Sequence, residues 1–136
     1  MGVTLLLATS NPSKLRELRA IAAPYGFEIL SPSDLGIALD VEETGTTFAE
    51  NALLKASAFY TKTGVPSLAD DSGLVVDALG GEPGIYSARY GGPGRDDVDR
   101  TALVLERLRG VPREQRSARF VAAIAVVGIW PKPRIF

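Results

Sequence analysis

Three short segments hold residue types that could do chemistry. The first is Thr9-Ser10-Asn11-Pro12-Ser13-Lys14. It follows an apolar run at 3–8 that reads as a buried strand. Asn11 is placed as an N-cap and Pro12 as the first helical residue. A strand that ends in such a turn presents free backbone N–H groups and the positive end of a helix dipole, and Lys14 adds a full charge. The chemistry expected is anion binding, best suited to phosphate. The plainer reading is a well-capped helix with a solvated lysine, because this is not the Gly-rich Walker pattern. The second segment is Asp70-Asp71-Ser72-Gly73. Adjacent carboxylates are costly near a core unless a cation or hydrogen bonds compensate. In a strand the two would point to opposite faces, so one of them faces a given site. The plainer reading here is a polar Asx-type turn between strands. The third is Glu42-Glu43-Thr44-Gly45 with Glu50, Asn51 and Lys55. Thr47 and Glu50 fit a capping box. Asn51 and Lys55, four apart, share a helix face that points at a cleft or at water. Glu42 and Glu43 lie in a loop, as metal ligands often do.

Composition narrows the chemistry. The chain has 136 residues, no cysteine and no histidine. That excludes a disulfide scaffold, a cysteine nucleophile, a Ser–His–Asp triad and the usual zinc sites. A metal would sit on oxygen ligands, which points to magnesium or a similar hard cation. Net charge is -1, which argues against a general nucleic-acid binder. The balance hides an acidic middle, with twelve acidic and four basic residues between Asp34 and Asp99, and a basic tail from Arg113 onward. No apolar run is long enough to span a membrane and no targeting signal is evident, so a soluble cytoplasmic protein is the default expectation. Carboxylate-held magnesium activating water against a phosphate ester is the economical chemistry for this set. Asp71-Ser72-Gly73 also matches the triplet of aspartic proteases, but those need a nearly all-β chain.

The elements that must position these residues alternate. Strands are expected at 3–8, 27–30, 67–69, 74–79 and 120–129. A helix runs from Pro12 to about Ala23, with Leu15, Leu18 and Ala22 on one face. A second runs from the Thr47 cap to about Thr63, with Phe48, Ala52, Ala56 and Phe59 inward. A third starts at Asp96, with Val98, Ala102, Leu105 and Leu108 facing inward, and closes at Gly110 and Pro112. The stretch 80–94 holds six glycines and two prolines and reads as a loop. Alternating strands and helices predict an α/β fold in a single domain, which this length favours.

Four ordered motifs resemble the non-canonical purine nucleoside triphosphate pyrophosphatases, the inosine triphosphate pyrophosphatase family. They are Leu7-Ala8-Thr9-Ser10-Asn11-Pro12-Ser13-Lys14, Glu43-Thr44-Gly45-Thr46-Thr47-Phe48-Ala49-Glu50-Asn51-Ala52, Ala69-Asp70-Asp71-Ser72-Gly73-Leu74 and Gly81-Glu82-Pro83-Gly84-Ile85-Tyr86-Ser87-Ala88-Arg89-Tyr90. The resemblance implies an α/β fold with a central mixed sheet flanked by helices. It implies Mg2+-dependent hydrolysis of inosine, deoxyinosine and xanthosine triphosphates to the monophosphate and pyrophosphate. By match of motif, Thr9, Ser10, Asn11, Pro12, Ser13 and Lys14 form the triphosphate-binding turn. Lys55 reaches the phosphates and Ser72 contacts substrate. Glu42, Asp70 and Asp71 are the metal ligands, and Asp71 is the proton acceptor. Family members are homodimers, and the loop 80–90 with Ile85, Tyr86 and Tyr90 is the expected contact.

The resemblance covers residues 3 to about 127. Residues 1–127 are therefore expected to form the phosphate- and metal-binding part of the pyrophosphatase domain, and 128–136 a tail outside the family pattern. The family's later base-cradling segments, Phe-Gly-Tyr-Asp and Ser-His-Arg, are absent. The expectation is of a chain short at its C-terminus with loosened base selectivity, or alternatively a non-catalytic remnant that keeps phosphate and metal binding or acts through a partner chain.

Overall fold

A computed structural model describes residues 2–136. The strands are β1 (Val3–Leu7), β2 (Phe27–Leu30), β3 (Ser67–Val76), β4 (Ala118–Val127) and β5 (Arg134–Ile135), and the helices are α1 (Pro12–Ala22), α2 (Phe48–Thr63) and α3 (Asp97–Arg107). Short 3-10 turns join several of them. One five-stranded sheet runs in the order β2-β1-β3-β4-β5. β2 and β3 both pair parallel with β1, and β5 pairs antiparallel with β4. The sheet is mixed and the fold α/β. The chain forms two compact units. One runs to Asp70 and resumes over Ala123–Phe136; the other is Asp71–Ala122. β3 and β4 each run through both.

In the first unit, strand alternation decides the core. Leu6 and Ala8 lie against Ala52, Ala56 and Phe59 of α2, together with Ala69 and Ala125. Leu5 and Leu7 point the other way, to Ala22 and Ile29, with Leu15, Leu18 and Leu68 packed on them. The inward positions of α1 and α2 recur at three- and four-residue spacing, as their helical period requires. The Asn11 side chain caps α1 by accepting from the Ser13 and Lys14 backbone N–H groups, and Pro12 occupies the first turn. Thr47 caps α2 through a 3.1 Å bond from the Glu50 N–H. The expected return arm of that box lands one residue early: the Glu50 carboxylate accepts from the Thr46 N–H and hydroxyl.

The C-terminal segment is tied in by a close approach. Gly128 has φ +98, and a Cβ there would sit 2.7 Å from the Tyr60 ring. Beyond it, Phe136 and Ile124 exchange both backbone hydrogen bonds, and Arg134 lies 4.0 Å from the centre of the Trp130 ring.

In the second unit the glycine-rich loop is ordered by side-chain bonds. The Ser87 hydroxyl donates to the Gly84 carbonyl and accepts from the Leu74 N–H. Gly73 leaves room for this, since a Cβ would lie 2.4 Å from both the Gly84 oxygen and Ser87 Oγ. Tyr90 is buried; its hydroxyl donates to Glu82 and accepts from Arg107. Burial, first of all, raises the Tyr90 pKa.

Three expectations are corrected. The Asp70–Gly73 segment is not a turn but the middle of one continuous strand, β3. Alternation separates the two carboxylates onto opposite faces, which removes the repulsion that would have favoured a turn. Second, Val98, Ala102 and Leu105 of α3 face outward, Val98 at 75% and Leu105 at 56% exposure; only Leu108 of that set is buried. Third, β4 starts at Ala118 and stops at Val127, and its Phe120 is 85% exposed.

Candidate functional site

The parallel pairing of β1 with β2 brings the chain's emergence from both strands to one sheet edge, the place where open α/β sheets bind ligands. The 9–14 turn leaves β1 there. A cavity of about 600 Å³ adjoins it, lined by Thr9, Ser10, Asn11 and Pro12 on one side and by Ser31–Ser33 and Ile37–Asp40 on the other. This volume is in the range of small-molecule sites. Sequence reading missed the second wall. Its signal was the βαβ connectivity, which sends the segment after β2 to the same edge as the turn after β1.

That second wall is braced. The Asp34 carboxylate accepts from the Ser31 N–H at 2.8 Å and from Arg19 at 2.8 Å. The Arg19 Nε also donates to the Ile29 carbonyl. The Ser31 N–H bond, first, and the Arg19 charge hold the Asp34 carboxyl below its ordinary value of 3.8. Glu50 is held below 4.5 chiefly by the Thr46 N–H.

The turn itself is more self-contained than expected. Its N–H groups were to be free for an anion, but Asn11 Oδ1 takes those of Ser13 and Lys14, and Thr9 Oγ1 takes that of Asn11. Lys14 remains the strongest donor and is itself engaged. Its Nζ lies 2.9 and 3.2 Å from the two Asp70 oxygens. The first and second chemical segments therefore meet within one unit, across 56 positions of sequence. A smaller cavity of about 250 Å³ adjoins this pair, walled by Leu7, Leu18, Ile21, Leu68 and Ile124, with Glu17 at its edge.

Lys55 of α2 pairs with Glu43 at 3.1 Å, both side chains largely buried. Glu42, the loop residue expected beside the metal, is exposed. Asn51 does not reach a cleft: it is fully buried, and its Oδ1 accepts from the Gly45 N–H at 2.8 Å. It fastens the 43–45 loop to α2. Asp71 is buried on the Ala69 face of β3, while Ser72 is exposed on the Asp70 face.

The donor set suits one metal type. Among the described residues no three carboxylates stand together as a ready cage. Magnesium does not need one, since it commonly takes one or two carboxylates and completes its shell with water and substrate phosphates. Each of Asp70 and Asp71 is a hard oxygen donor of the kind such an ion takes, and the chain has no histidine or cysteine to favour a softer one.

Fold and site together define an α/β protein with a capped, lysine-bearing turn at the edge of the parallel part of a mixed sheet and the Asp70 carboxylate against that lysine. The chain belongs to the Ham1 family, whose sequence model matches residues 5–136 and so includes the 128–136 segment. It is 54% identical over 123 residues to the dITP/XTP pyrophosphatase of Xanthomonas campestris pv. campestris, a match covering 90% of this chain and 61% of that protein. Among solved structures it resembles a HAM1 protein from Coxiella burnetii, with TM-score 0.89 and 38% identity over 98% of this chain and 68% of that one. A nucleoside-triphosphatase / dITP/XTP pyrophosphatase from Mycobacterium abscessus gives TM-score 0.84 and 41% identity, over 98% and 69%. The chain spans about three-fifths of the length of the curated relatives it matches. No helix among the described residues is long and apolar enough to cross a membrane.

Proposed function

We propose that the chain hydrolyses non-canonical purine nucleoside triphosphates, those of inosine, deoxyinosine and xanthosine, to the monophosphate and pyrophosphate, with magnesium. The observation that carries this reading is the Lys14–Asp70 contact, which joins the anion turn to the acidic strand. The names of the relatives supply the substrate class.

In this reading the phosphate chain enters over the 9–14 turn. Lys14 and the hydroxyls of Thr9, Ser10 and Ser13 hold it, with Asn11 and Pro12 fixing the turn's shape and Ser72 adding a contact. Lys55 neutralises phosphate from α2. Asp70, Asp71 and, from the loop, Glu42 are the candidate magnesium ligands, the two aspartates from opposite faces of β3. When bound, the metal draws charge from the phosphate oxygens and eases deprotonation of water. Asp71 accepts the proton of the attacking water. Water oxygen bonds to the α-phosphorus, the bond to the bridging oxygen breaks, and pyrophosphate leaves with the electron pair. The same reading makes the chain a homodimer of the cytoplasm, where nucleoside triphosphates are made and spent, with no nucleic-acid or membrane partner.

The test is pyrophosphate release from inosine, xanthosine, adenosine and guanosine triphosphates, with magnesium and with chelator. Release from the inosine and xanthosine compounds, abolished by chelator, supports the reading. Binding of inorganic tripolyphosphate without any pyrophosphate release replaces it with a non-catalytic phosphate binder.

A further inference from the structure

Both lysines assigned to the phosphate chain are already neutralised by the protein. Lys14 is held by both oxygens of Asp70, and Lys55 by Glu43. The turn's N–H groups show the same pattern, with side-chain oxygens of Asn11 and Thr9 in the place an anion would take. Both lysines and the N–H groups of Asn11, Ser13 and Lys14 thus each have an internal oxygen acceptor. A bare polyanion that takes Lys14 must strip it from Asp70. It then leaves an uncompensated carboxylate, 23% exposed, beside several phosphate charges. An ion pair as open as Lys14–Asp70 contributes about 0–1 kcal/mol by itself, so losing the pair is not the obstacle. The obstacle is the repulsion between the released carboxylate and the incoming anion. A divalent cation carried by the anion removes that repulsion, because it returns positive charge to the carboxylate as the phosphate takes the lysine.

Resting on the phosphate-site reading above, we propose that Asp70 is an internal counter-ion that closes the site to metal-free polyphosphates, so that a triphosphate is accepted only as its divalent-cation complex. Asp70 and Lys14 thus exchange partners on binding, and the affinities for cation and polyphosphate are coupled through this one pair. Such coupling is reciprocal. Removing the carboxylate frees the lysine and admits the bare anion. Removing the lysine frees the carboxylate and admits the bare cation.

The experiment is calorimetric titration with inorganic tripolyphosphate, either with chelator or as its preformed magnesium complex, and with Mg2+ alone. The wild type binds the magnesium complex at least about tenfold more tightly than the bare anion, within the usual range of coupling factors. In Asp70→Asn the bare anion gains about threefold to tenfold and the preference for the complex shrinks or reverses. In Lys14→Met, Mg2+ alone binds several-fold more tightly than in the wild type. Glu17→Gln, which removes the same charge one turn along α1 from Lys14, changes bare-anion affinity less than about twofold; it separates the specific pair from general electrostatics, whose reach is limited by screening. Equal gains in Asp70→Asn and Glu17→Gln, or no gain in Asp70→Asn, overturn the proposal. If Asp70→Asn does not fold by circular dichroism, the Mg2+ affinity of Lys14→Met decides alone. Tripolyphosphate binding by no variant under either condition overturns this proposal and the phosphate-site reading together. The predicted gains without hydrolysis of inosine triphosphate leave the proposal standing and remove only the hydrolytic reading.

Discussion

Asp71 sits on β3 with a carboxylate before it and an exposed serine after it, and strand alternation alone decides which of the three faces the core. It is only 8% exposed. Asparagine keeps its shape and removes the charge and the proton-accepting lone pair. Asp71→Asn is therefore expected to lower pyrophosphate release by about a hundredfold or more, the usual size of a general-base contribution, with an unchanged circular dichroism spectrum. Activity surviving within about tenfold would take the base assignment away from Asp71. Two residues on, Gly73 has a different task. A methyl there would lie 2.4 Å from the Gly84 oxygen and from Ser87 Oγ, and the oxygen is backbone that cannot swing aside. Gly73→Ala should cost on the order of 1–3 kcal/mol, as overpacking does. Urea denaturation measures it, and a midpoint equal to wild type would mean that the loop at Gly84 yields freely.

At the scale of elements, α2 and α3 carry similar apolar spacing and opposite fates. Ala52, Ala56 and Phe59 of α2 are buried, so Phe59→Ala should destabilise by about 3–5 kcal/mol. Leu105 of α3 is 56% exposed, so Leu105→Lys should stay within about 0.5 kcal/mol of wild type. A large loss at Leu105 in chemical denaturation would show that something covers that face in solution. The contrast marks what was legible in the sequence. Periodicity reports that a helix has an apolar side; it does not report whether another element lies against it. The caps at Asn11 and Thr47 were legible because each is a local bond over three residues. The continuity of β3 was not, because adjacent aspartates and a glycine are equally the marks of a turn, and the ladder of backbone bonds that keeps a strand going comes from neighbours distant in sequence. The same limit hid the pairing of Lys14 with Asp70 and of Lys55 with Glu43, since long-range ion pairs leave no spacing to read. The loop 31–40 was not legible as a wall because its serines and aspartates form no motif; it lines the cavity only through the parallel placement of β1 and β2.

At the scale of the whole molecule, the proposed homodimer contact narrows. Of the aromatics in the 80–90 loop, Tyr90 turns inward to Glu82 and Arg107, while Tyr86 stays 55% exposed with Arg89 against its ring. If the dimer uses this loop, Tyr86→Ser should yield monomer in light scattering at micromolar concentration, and a dimer of unchanged mass would move the contact elsewhere. Acid stability tests both units at once. Asp34 and Glu50 in the first unit and Asp77 in the second are all held below their ordinary values of 3.8, 4.5 and 3.8. The leading causes are the Ser31 N–H, the Thr46 N–H and the Ser117 hydroxyl. Each carboxyl binds its proton more weakly when folded than when unfolded. The unfolded chain therefore holds more protons in this range, and stability rises with pH. The contribution is complete above the ordinary values and is lost as pH falls through the lowered native ones. All three groups lie at the surface, so salt should shrink the charge part of the effect and leave the hydrogen-bonded part. A variant combining Asp34→Asn, Glu50→Gln and Asp77→Asn should be less stable than wild type at pH 7, and the gap should narrow once pH falls below the ordinary values of 3.8 and 4.5 and close as it passes through the lowered native ones. Denaturant midpoints measured from pH 3 to pH 7 read this directly, and two profiles that run parallel over that whole span would mean that these carboxylates do not stabilise the fold through their charge.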